Sequence, residues 1–535
     1  MNADLEPSPS TPALALPGVT RGNLFWLVLL LVLAGGMRLW QVGNTEVTSR
    51  DSVMYIRFAW RLENEPWPQV FQTGVHHPGY GLLVYTFGKP MRAAFPDDIP
   101  YAMQLAAQLA AALCGLLLVV PMYYLGRELF DRRVGFWGAL LFQCIPSSGR
   151  LMADGLSEPM FLLLTSTALL FAVRALGTGH IRWFVLCGLT TGLAYLTRQE
   201  GLLVVLVTLV VLVGLQFSPR WRRSRGKFVT QGACLVAGCA VLAVPFMVLI
   251  GDVSLKASAK HMLEADGWKM PDKPRDTPRV SHVHAPLPLA KWNIGTGITP
   301  QDRYLWAALT LAEMLDKAFF HFFLYPALLG VWLFRHRFAE VPGMWVLLVC
   351  GLVLMPLLYK LGQSNGYISE RHAILLVLGG IFWSVAGVGW LAGWVAARTT
   401  RVSAPMLSLI VLLVATGVCL PRTLARLHGN RDGFREVGVW MAHNTKAGDE
   451  ILDPMSWTSY HAGRLFVEGR SDIPRSDPPV CYVVLEQSKN PHLHIWYLME
   501  PAKKLAERGK VCHSVTVQRG KEEAKIEVFR VEGTP

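Results

Sequence analysis

Residues 22–40 read GNLFWLVLLLVLAGGMRLW, an almost continuous apolar run, and residues 47–68 then read VTSRDSVMYIRFAWRLENEPWP. The first stretch is about as long as a helix that crosses a bilayer core, which needs roughly 20 apolar residues. The second stretch is polar and aromatic, and it places Asp51 a few residues past the end of that helix. The two stretches predict a membrane helix followed by a polar loop. Asp51 is then either an ordinary exposed acid or a reactive one.

The composition of the whole chain favours a membrane protein. Of its 535 residues, 52% are hydrophobic and 17% are charged, whereas soluble domains carry about a quarter charged residues. The net charge of +13 would also suit a nucleic-acid-binding protein. However, the densest basic clusters, at 220–227 and 335–337, lie between apolar runs, as cytoplasmic loops do. We therefore expect a lipid bilayer as the surrounding medium and no nucleic-acid partner.

About eleven apolar runs are candidates for membrane helices, so the predicted fold class is a polytopic α-helical membrane protein. The two short runs between 183 and 217 are the weakest candidates. The runs cover residues 24–41, 101–125, 134–150, 157–175, 183–197, 200–217, 228–250, 306–334, 342–360, 371–396 and 403–420.

Basic loops indicate the orientation of these helices. With the N-terminus in the cytoplasm, five basic loops fall on the cytoplasmic side, as the positive-inside rule requires. They are residues 126–133, 174–182, 220–227, 335–337 and 398–401. We therefore predict a multi-pass protein of the plasma (inner) membrane. The outer face then carries loops 42–100, 151–156, 251–305 and 362–370, and the C-terminal tail.

Three regions follow along the chain. Residues 1–21 are rich in Pro, Ser and Ala and predict a disordered cytoplasmic leader, after which the first helix stays as an anchor. Residues 22–420 form the membrane domain. Residues 421–535 alternate helical and strand patterns, which predicts a small extracytoplasmic α/β domain. Cys481 and Cys512 lie in this domain, and a disulfide between them is an expectation if the domain faces an oxidising compartment.

The first outer loop carries two polar groups. Asp51 and Tyr55 lie in its first part, and His76, His77 and Tyr80 cluster just before an apolar stretch too short to cross the membrane. An amphipathic or re-entrant segment at the interface would fit that stretch.

Two acids lie in LMADGLSEPMFLLL, residues 151–164. Pro159 suits the first turn of a helix, so Asp154 and Glu158 lie at the outer end of the fourth span. Acids are favoured there by the helix dipole alone. Alternatively, the two carboxylates hold a divalent cation or orient a phosphate-bearing substrate.

Charged residues also lie at two other outer helix ends. Arg198 and Glu200 stand between apolar segments, where charges are costly unless they are paired or functional. Arg198 either pairs with Glu200 or Glu158 or is reserved for a lipid phosphate.

Glu370, Arg371 and His372 open the tenth span. Arg371 either binds a second phosphate oxygen or extends to the membrane interface. Together these acids and arginines on one face predict a cavity that is open to the outside and to lipid. Such a cavity suits a substrate with a polyprenyl tail and a phosphate head.

Several segments resemble, in order and spacing, the GT-C fold glycosyltransferases. The most similar members are the family 39 protein O-mannosyltransferases and the bacterial lipid A aminoarabinose transferases. The resemblance spans roughly residues 20 to 400 and is carried by residues 50–62, 76–85, 125–164, 188–204 and 369–384. It implies a GT-C membrane domain whose substrate is a sugar linked to polyprenyl phosphate.

The resemblance also implies roles for individual residues. Asp51 would be the catalytic base, and Asp154 would match a second acidic motif that contacts acceptor, sugar or metal. Arg198 and Arg371 would stabilise the departing polyprenyl phosphate. Lipid A transferases carry a lysine where this chain has VHHPGYG, so His77 becomes a candidate for that phosphate contact. No DxD pair occurs at Asp51, which leaves the use of a divalent cation open.

Three functions therefore compete. The first is an inverting glycosyltransferase that moves a monosaccharide from a polyprenyl-phosphate donor to a protein, lipid or envelope-glycan acceptor at the outer face. The second is a transporter or flippase of lipid-linked sugars, and the third is an inactive relative. A transporter places charges along a mid-membrane pathway. Here the charges gather at outer helix ends, which favours the enzyme. Tyr55, Tyr80, Glu158, Glu200 and His372 are further candidates for contact with substrate or metal.

Overall fold

The computed structural model describes residues 21–255, 300–365, 368–399, 402–468, 473–487, 496–519 and 522–532. The predicted leader and most of the 251–305 loop lie outside the described residues. The described chain is mainly helical. Its helices up to the 255 boundary are α1 Arg21–Gly43, α2 Arg50–Asn64, α3 Trp67–Thr73, α4 Pro78–Ala94, α5 Ile99–Leu117, α6 Val119–Leu129, α7 Arg132–Cys144, α8 Pro146–Gly149, α9 Glu158–Thr178, α10 Ile181–Thr197, α11 Leu203–Gly214 and α12 Arg225–Ile250.

The remaining elements complete the bundle and form a C-terminal domain. The helices are α13 Pro300–Ala318, α14 Leu324–Leu333, α15 Met344–Asn365, α16 Ile374–Ala396, α17 Ala404–Thr423, α18 Asp432–Asn444, α19 Trp457–His461 and α20 Trp496–Ala506. The strands are β1 Glu450–Leu452, β2 Val480–Gln487, β3 Lys510–Arg519 and β4 Glu522–Glu532.

Among the described residues, eight helices are long and apolar enough to cross a membrane. Two shorter apolar helices, α10 and α14, accompany them. A polytopic helical membrane protein is thus confirmed, while the count of eleven spans stays a prediction. The eight helices are Asn23–Gly43, Ile99–Leu129, Glu158–Thr178, Gln199–Phe217, Arg225–Ile250, Met344–Gln363, Glu370–Ala396 and Ala404–Thr423.

Two predicted spans are divided in the structure. The run at 306–334 forms α13 and α14, because Phe320 and His321 adopt positive φ angles of 53° and 60° between them, which a continuous right-handed helix does not allow. The run at 134–150 forms α7 and α8, since Pro146 provides no backbone N–H to continue the first helix. Apolar composition alone did not indicate either break.

The loop at 42–100, which the sequence assigns to the outer face, folds into three helices, α2, α3 and α4. The helix α2 is amphipathic, and it buries Tyr55, Ile56, Ala59 and Leu62, whose spacings of three and four residues place them on one face. That face packs on α4 and α5. The loop is therefore a rigid layer over one end of the bundle, and it fixes the position of Asp51 in the first turn of α2.

The C-terminal domain is a four-stranded sheet of order β1-β2-β4-β3 with helices packed on it. Strand β1 runs parallel to β2, and the other neighbours are antiparallel. This confirms the small α/β domain at the end of the chain. The disulfide expected there is not formed, since Cys481 is buried, Cys512 is exposed, and both are free.

The C-terminal domain docks on the layer that the 42–100 loop forms. The Trp457 indole N–H donates to the Thr48 carbonyl at 3.0 Å, and the Tyr460 hydroxyl donates to the Pro100 carbonyl at 2.6 Å. The side chains of both aromatic residues are almost fully buried, in an apolar cluster that also contains Val53 of α2. The domain therefore stabilises the backbone that leads into Asp51.

Candidate active site

A half-buried ion pair joins the 42–100 loop to the tenth predicted span. The Arg371 Nη2 lies 2.7 Å from the Asp51 Oδ2, and the two side chains are 36% and 39% exposed. Arg371 belongs to a 3-10 turn, Glu370–Ala373, which begins with a capping box between Ser369 and His372. This local structure holds the guanidinium over α2.

A second, buried ion pair lies beneath the first. The Arg198 Nη1 lies 2.8 Å from the Glu158 Oε1, and these side chains are 15% and 4% exposed. Arg198 also reaches Glu200 at 3.3 Å, and the Arg371 Nε lies 4.0 Å from Glu158. Burial of charge is costly without a partner, so the two layers stabilise each other. Both pairs proposed for Arg198 are formed, and together with Asp51 these side chains make one continuous network.

An aromatic floor supports this network. The Tyr55 hydroxyl donates to the Ser157 Oγ at 2.8 Å, and its ring stacks on His76 with centroids 4.7 Å apart. Tyr80 meets Tyr55 edge-on at 4.9 Å and donates its hydroxyl to the Ala107 carbonyl at 2.7 Å. Burial raises the pKa of both tyrosine hydroxyls, so they remain protonated donors. The sequence analysis missed Ser157, since a lone serine before Glu158 carries no distinguishing pattern.

Asp154 makes different contacts from the other acids. Its carboxylate lies 2.9 Å from the His428 Nε2 and accepts the Ser49 backbone N–H at 2.9 Å. The next residue, Gly155, has φ +68°, and a Cβ there would collide with the Ser52 side chain of α2. Asp154 thus ties the start of α2 to the linker that leads into the C-terminal domain. No local pattern in the sequence indicated His428 as a partner.

Two predicted histidines also occupy structural environments. His77 is 3% exposed, and its ring packs against Tyr195 and Phe246 with centroids 5.0 and 5.3 Å away. The His372 Nδ1 accepts the Ser369 backbone N–H at 3.1 Å. Neither observation assigns the histidine a phosphate contact.

The network brings carboxylates and guanidiniums together at one end of the bundle. Its three carboxylates and two guanidiniums carry a formal net charge of −1, so each arginine is already neutralised. Of the two pairs, that of Arg371 and Asp51 is the more accessible to solvent. Within the described ranges, no group of three or more His, Cys, Asp or Glu side chains is placed to hold a metal ion.

Comparison with known proteins agrees with this architecture. Residues 99–247 match the family model described as dolichyl-phosphate-mannose-protein mannosyltransferase. No curated protein sequence matches the chain significantly.

Two solved structures share the fold over most of the chain. ArnT from Cupriavidus metallidurans bound to undecaprenyl phosphate has 14% identity and a TM-score of 0.53, covering 94% of this chain and 98% of its own. The Archaeoglobus fulgidus oligosaccharyltransferase has 16% identity and a TM-score of 0.51 over 79% of this chain. The matched region spans only 58% of that enzyme's length. The same archaeal protein is also known in complex with an inhibitory peptide and a dolichol-phosphate. The chain is thus a membrane protein with the GT-C glycosyltransferase fold.

Proposed function

We propose that the protein is an inverting glycosyltransferase that uses a polyprenyl-phosphate-linked monosaccharide as donor. The acceptor is a hydroxyl of a protein, lipid or envelope glycan, and transfer takes place at the extracytoplasmic face of the plasma membrane. The observation that carries this proposal is the half-buried contact of Asp51 with Arg371 over the buried pair of Glu158 and Arg198. It combines a carboxylate base with cations for a phosphate leaving group at one end of the bundle.

In the proposed reaction Asp51 accepts the proton of the acceptor hydroxyl. The hydroxyl oxygen attacks the anomeric carbon from the side opposite the phosphate, and the bond from that carbon to the phosphate oxygen breaks. The anomeric configuration inverts, and polyprenyl phosphate leaves with the bonding electrons. Arg371 and Arg198 stabilise the negative charge that develops on the phosphate.

The sugar ring must lie between the base and the leaving group. Since Arg371 and Asp51 are in direct contact at 2.7 Å, we infer that Arg371 exchanges Asp51 for the donor phosphate as the donor binds. Removal of this one cationic contact favours a proton on the Asp51 carboxylate, which makes it a stronger base. Binding of the donor would thus activate the base.

A cleft beside α2 is the inferred approach for the acceptor. Its volume is about 420 Å³, and it lies between α2 and the C-terminal domain, lined among others by Met54, Arg57, Tyr460 and Arg464. Met54 follows Asp51 by three residues, or about 4.5 Å along the helix axis. An acceptor held in this cleft would have a short path to the base.

The first experiment uses the purified full-length protein in nanodiscs with a panel of polyprenyl-phosphate sugars. The measured quantity is the release of free polyprenyl phosphate by wild type and by Asp51→Asn. We expect release with one sugar in the wild type and a loss of about 10²–10⁴-fold in the variant, because a positioned general base contributes that much. Turnover of Asp51→Asn at the wild-type rate would show that Asp51 is not the base.

A matched control lies on the same helix. Glu63 of α2 forms an ion pair with Arg92 at 2.5 Å, with side chains 31% and 22% exposed, so Glu63→Gln breaks a comparable pair about 18 Å along the helix from Asp51. We expect this variant to turn over like the wild type. Donor binding without release in the wild type, with every acceptor class supplied, would favour the transporter function instead.

The orientation has its own test. Ser224 precedes α12 and Asn444 ends α18, and both residues are exposed. In a background with Cys512→Ser, cysteines at these two positions should react with a membrane-impermeant maleimide from opposite sides of sealed vesicles. Labelling of both from one side would contradict the proposed topology.

A further inference from the structure

A basic cleft lies at the other end of the bundle from the ion-pair network. Helix α9 begins at Glu158 in that network and ends at Thr178 beside the cleft. A helix of 21 residues rises about 30 Å, so the two places are separated by roughly the thickness of a bilayer core. The cleft has a volume of about 690 Å³ and lies between the end of α9, the start of α10, the 218–224 loop and the first turns of α12.

The lining is strongly cationic. Arg220, Arg222, Arg223 and Lys227 all contribute to it, and none of its described lining residues is a carboxylate. Arg220, Arg222 and Lys227 are exposed. A basic loop is expected from the positive-inside rule alone. That rule sets orientation, however, and does not require the charges to converge on one concave site.

Hydrogen bonds fix the base of the cleft. The Arg223 guanidinium donates to the Leu176 carbonyl at 2.6 Å and to the Gln231 side chain. Gln231 is 3% exposed and donates to the Gly179 carbonyl at 2.8 Å. These bonds satisfy the last carbonyls of α9 and hold the loop against α12. The cleft therefore keeps its shape without help from the exposed cations.

The amino end of α12 adds to the positive potential. This helix of 26 residues begins after Ser224, whose side chain makes no capping hydrogen bond, and Gly226, Lys227 and Thr230 of its first turns line the cleft. The free N–H groups and the helix dipole favour an anion at this position.

Apolar side chains border the same site. Ile181 lines the cleft and is 48% exposed, and Phe217, just before the basic loop, is 85% exposed. Trp221 also lines the cleft and donates its indole N–H to the Ala339 carbonyl at 3.0 Å. Aromatic and basic residues together are typical of the membrane interface. A lipid with a phosphate headgroup and acyl chains would contact both the basic lining and the apolar border.

We propose that this cleft binds the phosphate of an anionic phospholipid headgroup. The lipid would bridge the ends of α9, α10 and α12, with its chains along Ile181 and Phe217. The site is independent of the glycosyl transfer proposed above, since it lies at the opposite end of these helices.

Native mass spectrometry of the full-length protein in detergent tests the proposal, with phosphatidylglycerol as the probe and phosphatidylcholine as the neutral reference. The test variant is Arg222→Gln/Lys227→Gln. The matched control, Arg335→Gln/Arg398→Gln, removes two exposed charges outside the cleft lining. Each basic residue near an anionic headgroup changes affinity about fivefold. We therefore expect about 30-fold weaker phosphatidylglycerol binding in the test variant and no more than a small change in the control.

The possible outcomes separate the sources of the phosphate. Equal weakening in both variants, or equal binding of both lipids, would overturn the proposal. Inorganic phosphate that competes with phosphatidylglycerol only at much higher concentration would support a lipid site. Tight binding of inorganic phosphate alone, lost in the test variant, would assign the cleft to a soluble anion and contradict the lipid assignment. Because the two substituted side chains are exposed, both variants should elute as folded protein on size exclusion.

Discussion

Replacement of Arg198 by glutamine should damage the protein in two separable ways. Arg198 contacts Glu158 at 2.8 Å and Glu200 at 3.3 Å, and its guanidinium lies over the Phe161 ring at 5.7 Å. After the change, Glu158 remains 4% exposed, with the Arg371 guanidinium 4.0 Å away. A buried charge deprived of its partner costs about 3–5 kcal/mol. Because the contact with Arg371 remains, we expect the free energy of unfolding to fall by an amount near the lower end of this range, roughly 3 kcal/mol.

The matched control is a second ion pair on α9, the helix that carries Glu158. Arg174 contacts Glu128 at 2.6 Å, with side chains 18% and 14% exposed, near the opposite end of α9. Arg174→Gln should destabilise the protein to a similar or smaller extent, because its partner is less deeply buried. It should leave the turnover of each folded molecule unchanged, since that pair lies far from the proposed site.

The assay measures two quantities on both variants. The free energy of unfolding comes from denaturant titration in mixed micelles, and turnover per folded molecule comes from the release of polyprenyl phosphate. We expect Arg198→Gln to lower turnover by about 10²–10³-fold, as loss of an electrostatic stabiliser of the transition state does. Arg198→Gln that is unstable but turns over normally when folded would show that Arg198 only neutralises Glu158. The double variant with Glu158→Gln should recover part of the stability and none of the turnover.

Two further predictions concern other parts of the fold. Gly155→Ala should lower the free energy of unfolding by about 1–2 kcal/mol, because a side chain is unfavourable at φ +68°. It should also lower turnover, because the new Cβ displaces α2 through Ser52. Gly155→Ala/Ser52→Ala should restore turnover more than stability, and equal turnover of the single variant and wild type would contradict this account. Burial lowers the pKa of His461 to about 3, below its ordinary value of about 6.5. The unfolded chain therefore takes up a proton at His461 before the folded protein does. The contribution of neutral His461 to stability is present above pH 6.5 and is lost as the pH falls towards 3, at up to about 1.4 kcal/mol per pH unit. We expect the thermal unfolding temperatures of wild type and His461→Gln to diverge between pH 7.5 and pH 4.5, with the variant less sensitive to acid. Parallel pH dependences of the two proteins would show that His461 does not cause the loss of stability.

Much of the fold and of the site follows from local sequence patterns. Apolar runs of about 20 residues predict membrane helices wherever they occur, and alternating patterns predicted the strands of the C-terminal domain. The same patterns placed Asp51, Glu158, Arg198 and Arg371 at helix ends. Because alternate helix ends meet on one face of a membrane, the order of the helices along the chain is enough to predict that these side chains converge.

Other features depend on contacts between distant parts of the chain. Asp154 was grouped with the other acids, yet its histidine partner lies 274 positions away. Nothing near His428 in the sequence indicates that contact. The break between α13 and α14 results from backbone angles at Phe320 and His321, in a run that is apolar throughout. The composition of a segment shows how hydrophobic it is, but it does not show which residue from a distant part of the chain contacts it.

The docking of the C-terminal domain has a consequence for biosynthesis. The backbone leading into Asp51 is held by Trp457, 409 positions later in the chain, and by Asp154 through His428. A ribosome completes the last membrane helix, which ends at Thr423, before it produces His428 and Trp457. We therefore expect a nascent chain to insert and pack its helices while its reactive loop is still mobile. In the proposed glycosyltransferase, Asp51 would then take its final position only after the C-terminal domain has folded.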